Sequence, residues 1–299
     1  MLPNANPAKA SNKRFIEQLI DLIIYSNFNI ALGAGCMGLQ TYLLFFSPLE
    51  LTPLVFLIFC STLVIYALHR LIGLPKVQDF LTVERYKVIF ERKYHIWVYA
   101  IMAIIGGAYC FFKVSFSVQI ALVAPAAISL LYVLPILGGK RNLRLRDFNM
   151  IKIYLIAIVW AYVTVLLPAI ELETIWSPKT WLMFIERALF VFAITLPFDI
   201  RDLKVDKHTE VNTIPARIGI QNTIRLAWAC LGVFSVLAII NYGLLISIPL
   251  LVSAISTGVF VYFSAPGRHD YFYSGLLDGT MTLQFLFVLG IYYLGWMNA

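Results

Sequence analysis

Apolar residues fill the chain in runs near 16–46, 52–74, 95–112, 117–137, 150–170, 180–199, 223–241, 243–264 and 276–297, separated by polar or charged joints. A helix of roughly 20 apolar residues spans ~30 Å of hydrocarbon, and inside a bilayer only helices or closed barrels satisfy their own backbone. The pattern predicts an all-α membrane protein of nine transmembrane helices. The tightest divisions fall at Lys113-Val114 and at Asn241-Tyr242-Gly243, where one long run is split by a short joint.

Composition agrees with the pattern. Of the 299 residues 61% are hydrophobic and 13% charged, with a mean hydropathy of +0.83, far beyond the balance of a soluble domain. Residues 1–14 carry Pro3, Pro7, Lys9, Lys13 and Arg14 and read as a polar cytoplasmic tail. The remainder, 15–299, reads as a single transmembrane domain. No short apolar segment with a small-residue cleavage site precedes the first run, so that helix is expected to direct insertion itself.

Charge gives the expected orientation. Of the 23 Lys and Arg residues, all but Lys113, Lys179 and Arg187 fall on the side of the N-terminus when nine spans are drawn. The positive-inside rule then puts the N-terminus in the cytoplasm and the C-terminus outside, with a bacterial inner membrane as the expected location. The long charged loops near 75–94, 138–149 and 200–222 share the cytoplasmic side, so polar chemistry is expected there. The formal net charge of +7 follows from this orientation and is no argument for nucleic acid as a partner.

Cys36, Cys60, Cys110 and Cys230 lie in apolar runs without paired spacing, and His69, His95, His208 and His269 show no close ligand spacing. Zinc and redox-disulfide chemistry therefore have no support. A glycine-rich phosphate loop is also missing.

The candidate chemistry lies in Phe198-Asp199-Ile200-Arg201-Asp202-Leu203-Lys204-Val205-Asp206, directly after the sixth run. On a helix the three carboxylates fall within roughly a 60° arc. Like charges held that close repel one another, and a hard cation such as Mg²⁺ suits the cluster. The same residues also suit a helix end leaving the membrane, with Arg201, Lys204 and Lys207 as solvated counter-ions.

Asp199-Ile200-Arg201-Asp202, then Asp206, then Thr213-x-Pro215-x-Arg217-x-Gly219, resembles the second aspartate motif of the UbiA superfamily of intramembrane prenyltransferases. Tyr132-x-x-Pro135 and Lys140-Arg141 after the fourth run extend the likeness. The resemblance implies a UbiA-type helical bundle with a cytoplasm-facing central cavity, in which a prenyl diphosphate is held through Mg²⁺ on two facing aspartate motifs. It implies catalytic and metal-binding roles for Asp199, Asp202 and Asp206, and diphosphate contacts for Lys140 and Arg141.

One departure stands out. Where the family carries its first aspartate motif, the second run ends Tyr66-Ala67-Leu68-His69-Arg70-Leu71, and no carboxylate lies between Glu50 and Asp79. His69 and Arg70 are candidates to supply positive charge to a diphosphate there. Equally, they suit a snorkelling helix end. Glu186 and Arg187, inside the sixth run, suit polarising or deprotonating an acceptor, but the expectation is that they bond to groups on neighbouring helices. Asp278 suits either acceptor binding or a helix N-terminal charge.

The expected function is transfer of an isoprenoid from a prenyl diphosphate to a lipophilic, aromatic, quinone-precursor-like acceptor, within membrane lipid and with Mg²⁺ as cofactor. The alternative is a catalytically silent relative that binds an isoprenoid or quinone lipid, or serves as a membrane partner subunit.

Overall fold

The computed structural model describes residues 23–24, 26–73, 90, 93–135, 145, 150–208 and 211–295. Every regular element among them is helical. In chain order these are α1 (Phe28–Leu44), α2 (Pro53–Gly73), α3 (Lys93–Phe111), α4 (Phe116–Val133), α5 (Ile151–Glu171), α6 (Pro178–His208), the short α7 (Ile214–Ile218), α8 (Ile220–Tyr262) and α9 (Phe272–Tyr293). The tail at 1–14 lies outside the described residues, as does much of the loops near 75–94 and 138–149.

Seven of these helices, α2 to α6, α8 and α9, are long and apolar enough to cross a membrane. The nine runs read from the sequence differ from this at two places. Described α1 has 17 residues and begins at Phe28, after a turn in which Asn27 is left-handed at φ 68°, whereas the predicted run began at 16; residues 1–22 lie outside the description. The seventh and eighth runs form one 43-residue helical stretch, α8, interrupted at Gly243 with φ 76° and ψ 168°. Across that break the two halves lie side by side: Trp228 Nε1 donates to the Gly258 carbonyl at 2.9 Å, and the Trp228 and Tyr262 rings stack at 5.8 Å.

Local sequence explains the helix ends. Ser115 caps α4, its hydroxyl accepting from the Val118 N–H, a standard use of serine at this position. Pro215 opens α7, and Gly219 at φ 81° turns the chain into α8. Inside α6, Pro197 removes one rung of the hydrogen-bond ladder without ending the helix. α6 continues to His208, nine residues past its expected end at 199, so the acidic motif is helical and not part of a loop.

α6 is the central element, packed against α5 and α8, while α1 packs on α2 and α9, and α2 on α3. Phe190, Phe234, Met37, Leu167 and Tyr273 fill the interior between them. The outer faces are apolar: Val98, Ile101, Met102 and Ile105 on α3 are exposed, while Gln40, Gln284, Glu186 and Arg187 are buried. A polar interior beneath an apolar exterior suits lipid as the solvent, and the chain is an integral membrane protein.

Gly243 isolates one backbone requirement, since a Cβ there would meet no atom within 4 Å. Its φ and ψ belong to a region essentially restricted to glycine, at a cost of order 1–3 kcal/mol for other residues. Gly243→Ala is expected to lower the thermal unfolding midpoint in detergent. An unchanged midpoint would show that the turn between the halves of α8 relaxes without strain.

Candidate active site

Asp199, Asp202 and Asp206 sit on the last turns of α6. Seven residues advance a helix by almost two whole turns, so Asp199 and Asp206 point nearly the same way. Between them lies a cation supplied by α5: Lys152 Nζ is 2.8 Å from Asp199 Oδ1 and 3.2 Å from Asp206 Oδ2. All three side chains are at most 10% exposed.

Asp202 is rotated roughly 60° from Asp199 and meets a different cation. Arg201 donates from Nε to Asp202 Oδ1 at 2.9 Å and from Nη2 to Oδ2 at 3.0 Å, and from Nη1 to Asp270 Oδ1 at 3.3 Å. Its guanidinium also lies over the rings of Phe198 and Tyr273, at 4.9 and 5.3 Å. The three carboxylates therefore divide between two cations instead of forming one three-ligand cradle.

Other elements converge on the same end of the bundle. Buried Asp278, in the first turn of the α-helical part of α9, lies within Coulombic reach of Arg70 and Arg201. Tyr66 lies near Trp160, Asp278, Tyr132 and Arg70. His69 stacks on Tyr132 at 6.3 Å, and Tyr132 is in turn near Lys152. The predicted residues His69 and Arg70 thus share a neighbourhood with the acidic helix end. Lys140 and Arg141 lie outside the described residues.

Lys152 was not singled out from the sequence, although a signal was available: it stands two residues into the otherwise apolar run 150–170, and ionisable residues in such segments often mark function. Its pairing with α6 also explains why the acidic stretch stays helical. Removing one partner from a buried ion pair costs about 3–5 kcal/mol, so both carboxylates need the lysine where it is.

Glu186 and Arg187 lie twelve or thirteen residues before Asp199, roughly 18–20 Å along the helix, and bond to neighbouring helices as expected. The Tyr242 hydroxyl donates to Glu186 Oε1 at 2.6 Å. Arg187 Nη1 donates to the Met37 carbonyl at 2.9 Å and to Thr164 Oγ1 at 3.3 Å, where α5 widens into a π-helical turn over Tyr162–Leu166. They form a buried structural network apart from the charged end.

No group of three or more His, Cys, Asp or Glu side chains is arranged to hold a metal ion among the described residues. Asp199 Oδ1 and Asp206 Oδ2 nevertheless converge on one point, held by Lys152 Nζ. Two carboxylate oxygens are the kind of hard donors Mg²⁺ takes, since it completes its shell with water and substrate phosphate. The donor chemistry of the two carboxylates fits Mg²⁺; in the structure the Lys152 ammonium lies between them.

The model of the UbiA prenyltransferase family matches residues 92–270. No curated protein sequence matches. Among solved structures, the fold is similar to a UbiA homologue from Archaeoglobus fulgidus bound to DMAPP and Mg²⁺, with TM-score 0.57 and 10% identity, covering 92% of this chain and 98% of that one. The same homologue bound to GPP and Mg²⁺ gives TM-score 0.56 at 10% identity, with the same coverage. A ligand-free homologue from Aeropyrum pernix K1 gives 0.54 and 16%, covering 92% and 96%.

Arg201→Lys retains the positive charge but loses the fork that spans Asp202 and Asp270 and the flat contact with two rings. We expect it to reduce stability by about 1–3 kcal/mol, in the range for hydrogen bonds to charged groups, read as a lower thermal midpoint in detergent. No change would mean that a point charge suffices there.

Proposed function

The chain belongs to the UbiA prenyltransferase family, and from that premise we propose that it transfers an isoprenoid from a prenyl diphosphate to a lipophilic, aromatic acceptor within the membrane. The observation that carries this reading is the buried charged cluster of α2, α5, α6 and α9, set beside aromatic side chains at one end of the bundle. Homologues of the same fold bind DMAPP or GPP together with Mg²⁺. The reading assigns the N-terminus and the charged end to the cytoplasmic side of a bacterial inner membrane.

In this scheme Arg70 and His69 donate to the diphosphate from the end of α2, with Lys140 and Arg141 as further donors. Asp199, Asp202 and Asp206 provide the carboxylates of the metal side. Mg²⁺, when bound, would offset charge on the leaving diphosphate oxygens. Tyr66, Tyr132 and Trp160 offer a weakly nucleophilic wall whose ring faces favour an allylic cation.

A second reading, a silent relative that binds an isoprenoid or quinone lipid without turnover or acts as a partner subunit, is favoured by one specific feature. The end of α2 has no carboxylate to face α6, since none occurs between Glu50 and Asp79. Incubating the purified protein with DMAPP, GPP and longer prenyl diphosphates, with and without Mg²⁺, separates the two. The transferase is expected to release diphosphate when an aromatic acceptor is present. Saturable binding without release under every condition would establish the silent binder.

Arg70→Ala tests the diphosphate assignment. Loss of a charged donor to a buried diphosphate costs about 2–5 kcal/mol, roughly 30-fold or more in affinity. Binding of the matching prenyl alcohol, which lacks the charge, is expected to change little. Equal small effects on both ligands would return Arg70 to the role of a snorkelling helix end.

A further inference from the structure

We propose that Lys152 is a built-in cation that fills the metal position of the acidic helix, so that a divalent ion enters between Asp199 and Asp206 only by displacing the lysine. Geometry carries the inference. One ammonium lies 2.8 Å from Asp199 Oδ1 and 3.2 Å from Asp206 Oδ2, and two cations do not share one point. The carboxylates whose spacing suits a hard cation already have one, covalently tethered to the neighbouring helix.

The lysine is held there by backbone as well as by charge. Met150, immediately before α5, has a left-handed conformation at φ 61°, and its N–H donates to the Asn212 carbonyl at 3.3 Å. The segment containing Asn212 is tied to the end of α6, with the Val211 N–H on the Asp206 carbonyl at 2.9 Å. The start of α5 and the end of α6 are thus laced together through residues 150, 206, 211 and 212. Lys152, two residues past Met150, has little choice of carboxylate.

The side chain is also suited to yielding its place. Lysine carries a compact charge on a flexible four-carbon stem, whereas arginine would lock both acids with a planar fork, as Arg201 does with Asp202. A divalent ion alone offers the displaced ammonium no new partner. An ion that arrives with an anionic diphosphate does. The tethered charge therefore discriminates against free divalent ions and favours the ion accompanied by substrate.

The bearing of this inference on catalysis rests on the prenyltransferase reading, but its test contains no prenyl substrate, so failure of one is distinguishable from failure of the other. Mn²⁺ binding to the purified full-length protein is measured by the electron paramagnetic resonance of unbound Mn²⁺. Lys152→Met should bind one Mn²⁺ at least about tenfold more tightly than the wild type, because removing a competing charge exposes two carboxylates to the ion. The gain should vanish in Lys152→Met combined with Asp206→Asn. Equal Mn²⁺ affinity of wild type and Lys152→Met, or a gain that persists without the Asp206 carboxylate, would overturn the proposal. Should Lys152→Met fail to fold, Lys152→Arg, which keeps the charge, should bind Mn²⁺ more weakly than the wild type, because a planar fork yields its place less readily; equal affinity of Lys152→Arg and wild type would overturn the proposal.

Discussion

A charge buried between helices in a bilayer has almost no water to stabilise it, so each ionic group at the end of α6 depends on a partner of opposite charge. The lysine of α5 between Asp199 and Asp206 is the clearest instance. Its two contacts allow an acidic helix to extend to His208 within a packed environment. Arg201 does the same for Asp202 and Asp270, tying α6 to the start of α9. Much of the arrangement at this end of the bundle follows from where those two cations can reach.

Polar groups along α6 fall into two sets with different consequences. Deep in the span, Glu186 and Arg187 meet a tyrosine hydroxyl, a backbone carbonyl and a threonine hydroxyl. These contacts fix α6 against α1, α5 and α8, while Glu186 Oε2 and Arg187 Nη2 stay buried without a hydrogen-bond partner among the described residues. At the helix end the contacts are ion pairs, between side chains that a charged ligand can compete for.

The family fold survives at 10–16% identity to solved homologues, because it asks mainly for apolar helices of sufficient length and a few tight turns. The charged end is less permissive. Without a carboxylate on α2, its balance rests on His69, Arg70 and Asp278 on one side and on Lys152 and Arg201 on the other. The internal ammonium brings the charge of the Asp199–Asp206 pair closer to neutral.

The runs of apolar residues determined the helical class, the membrane setting and the position of most helices, since hydrocarbon permits few alternatives for a stretch of that length. The aspartates at 199, 202 and 206 and the family likeness were legible because helical spacing and motif residues are local in sequence. The expectation that Glu186 and Arg187 bond within the bundle was legible for a related reason: burial at that depth demands partners. Partners themselves are non-local. Arg201 is adjacent to Asp202, but nothing in the spacing of 199, 202 and 206 reveals that this arginine also reaches Asp270 or that Asp199 and Asp206 share a lysine some fifty residues upstream. Helix α6 reads as ending at 199 because charge on a single chain looks like solvent exposure. Only the packing of α5 against it supplied the lysine between Asp199 and Asp206, and only the approach of Asp270 fixed the second partner of Arg201; tertiary packing thereby decided that the acidic face carries its own counter-ion.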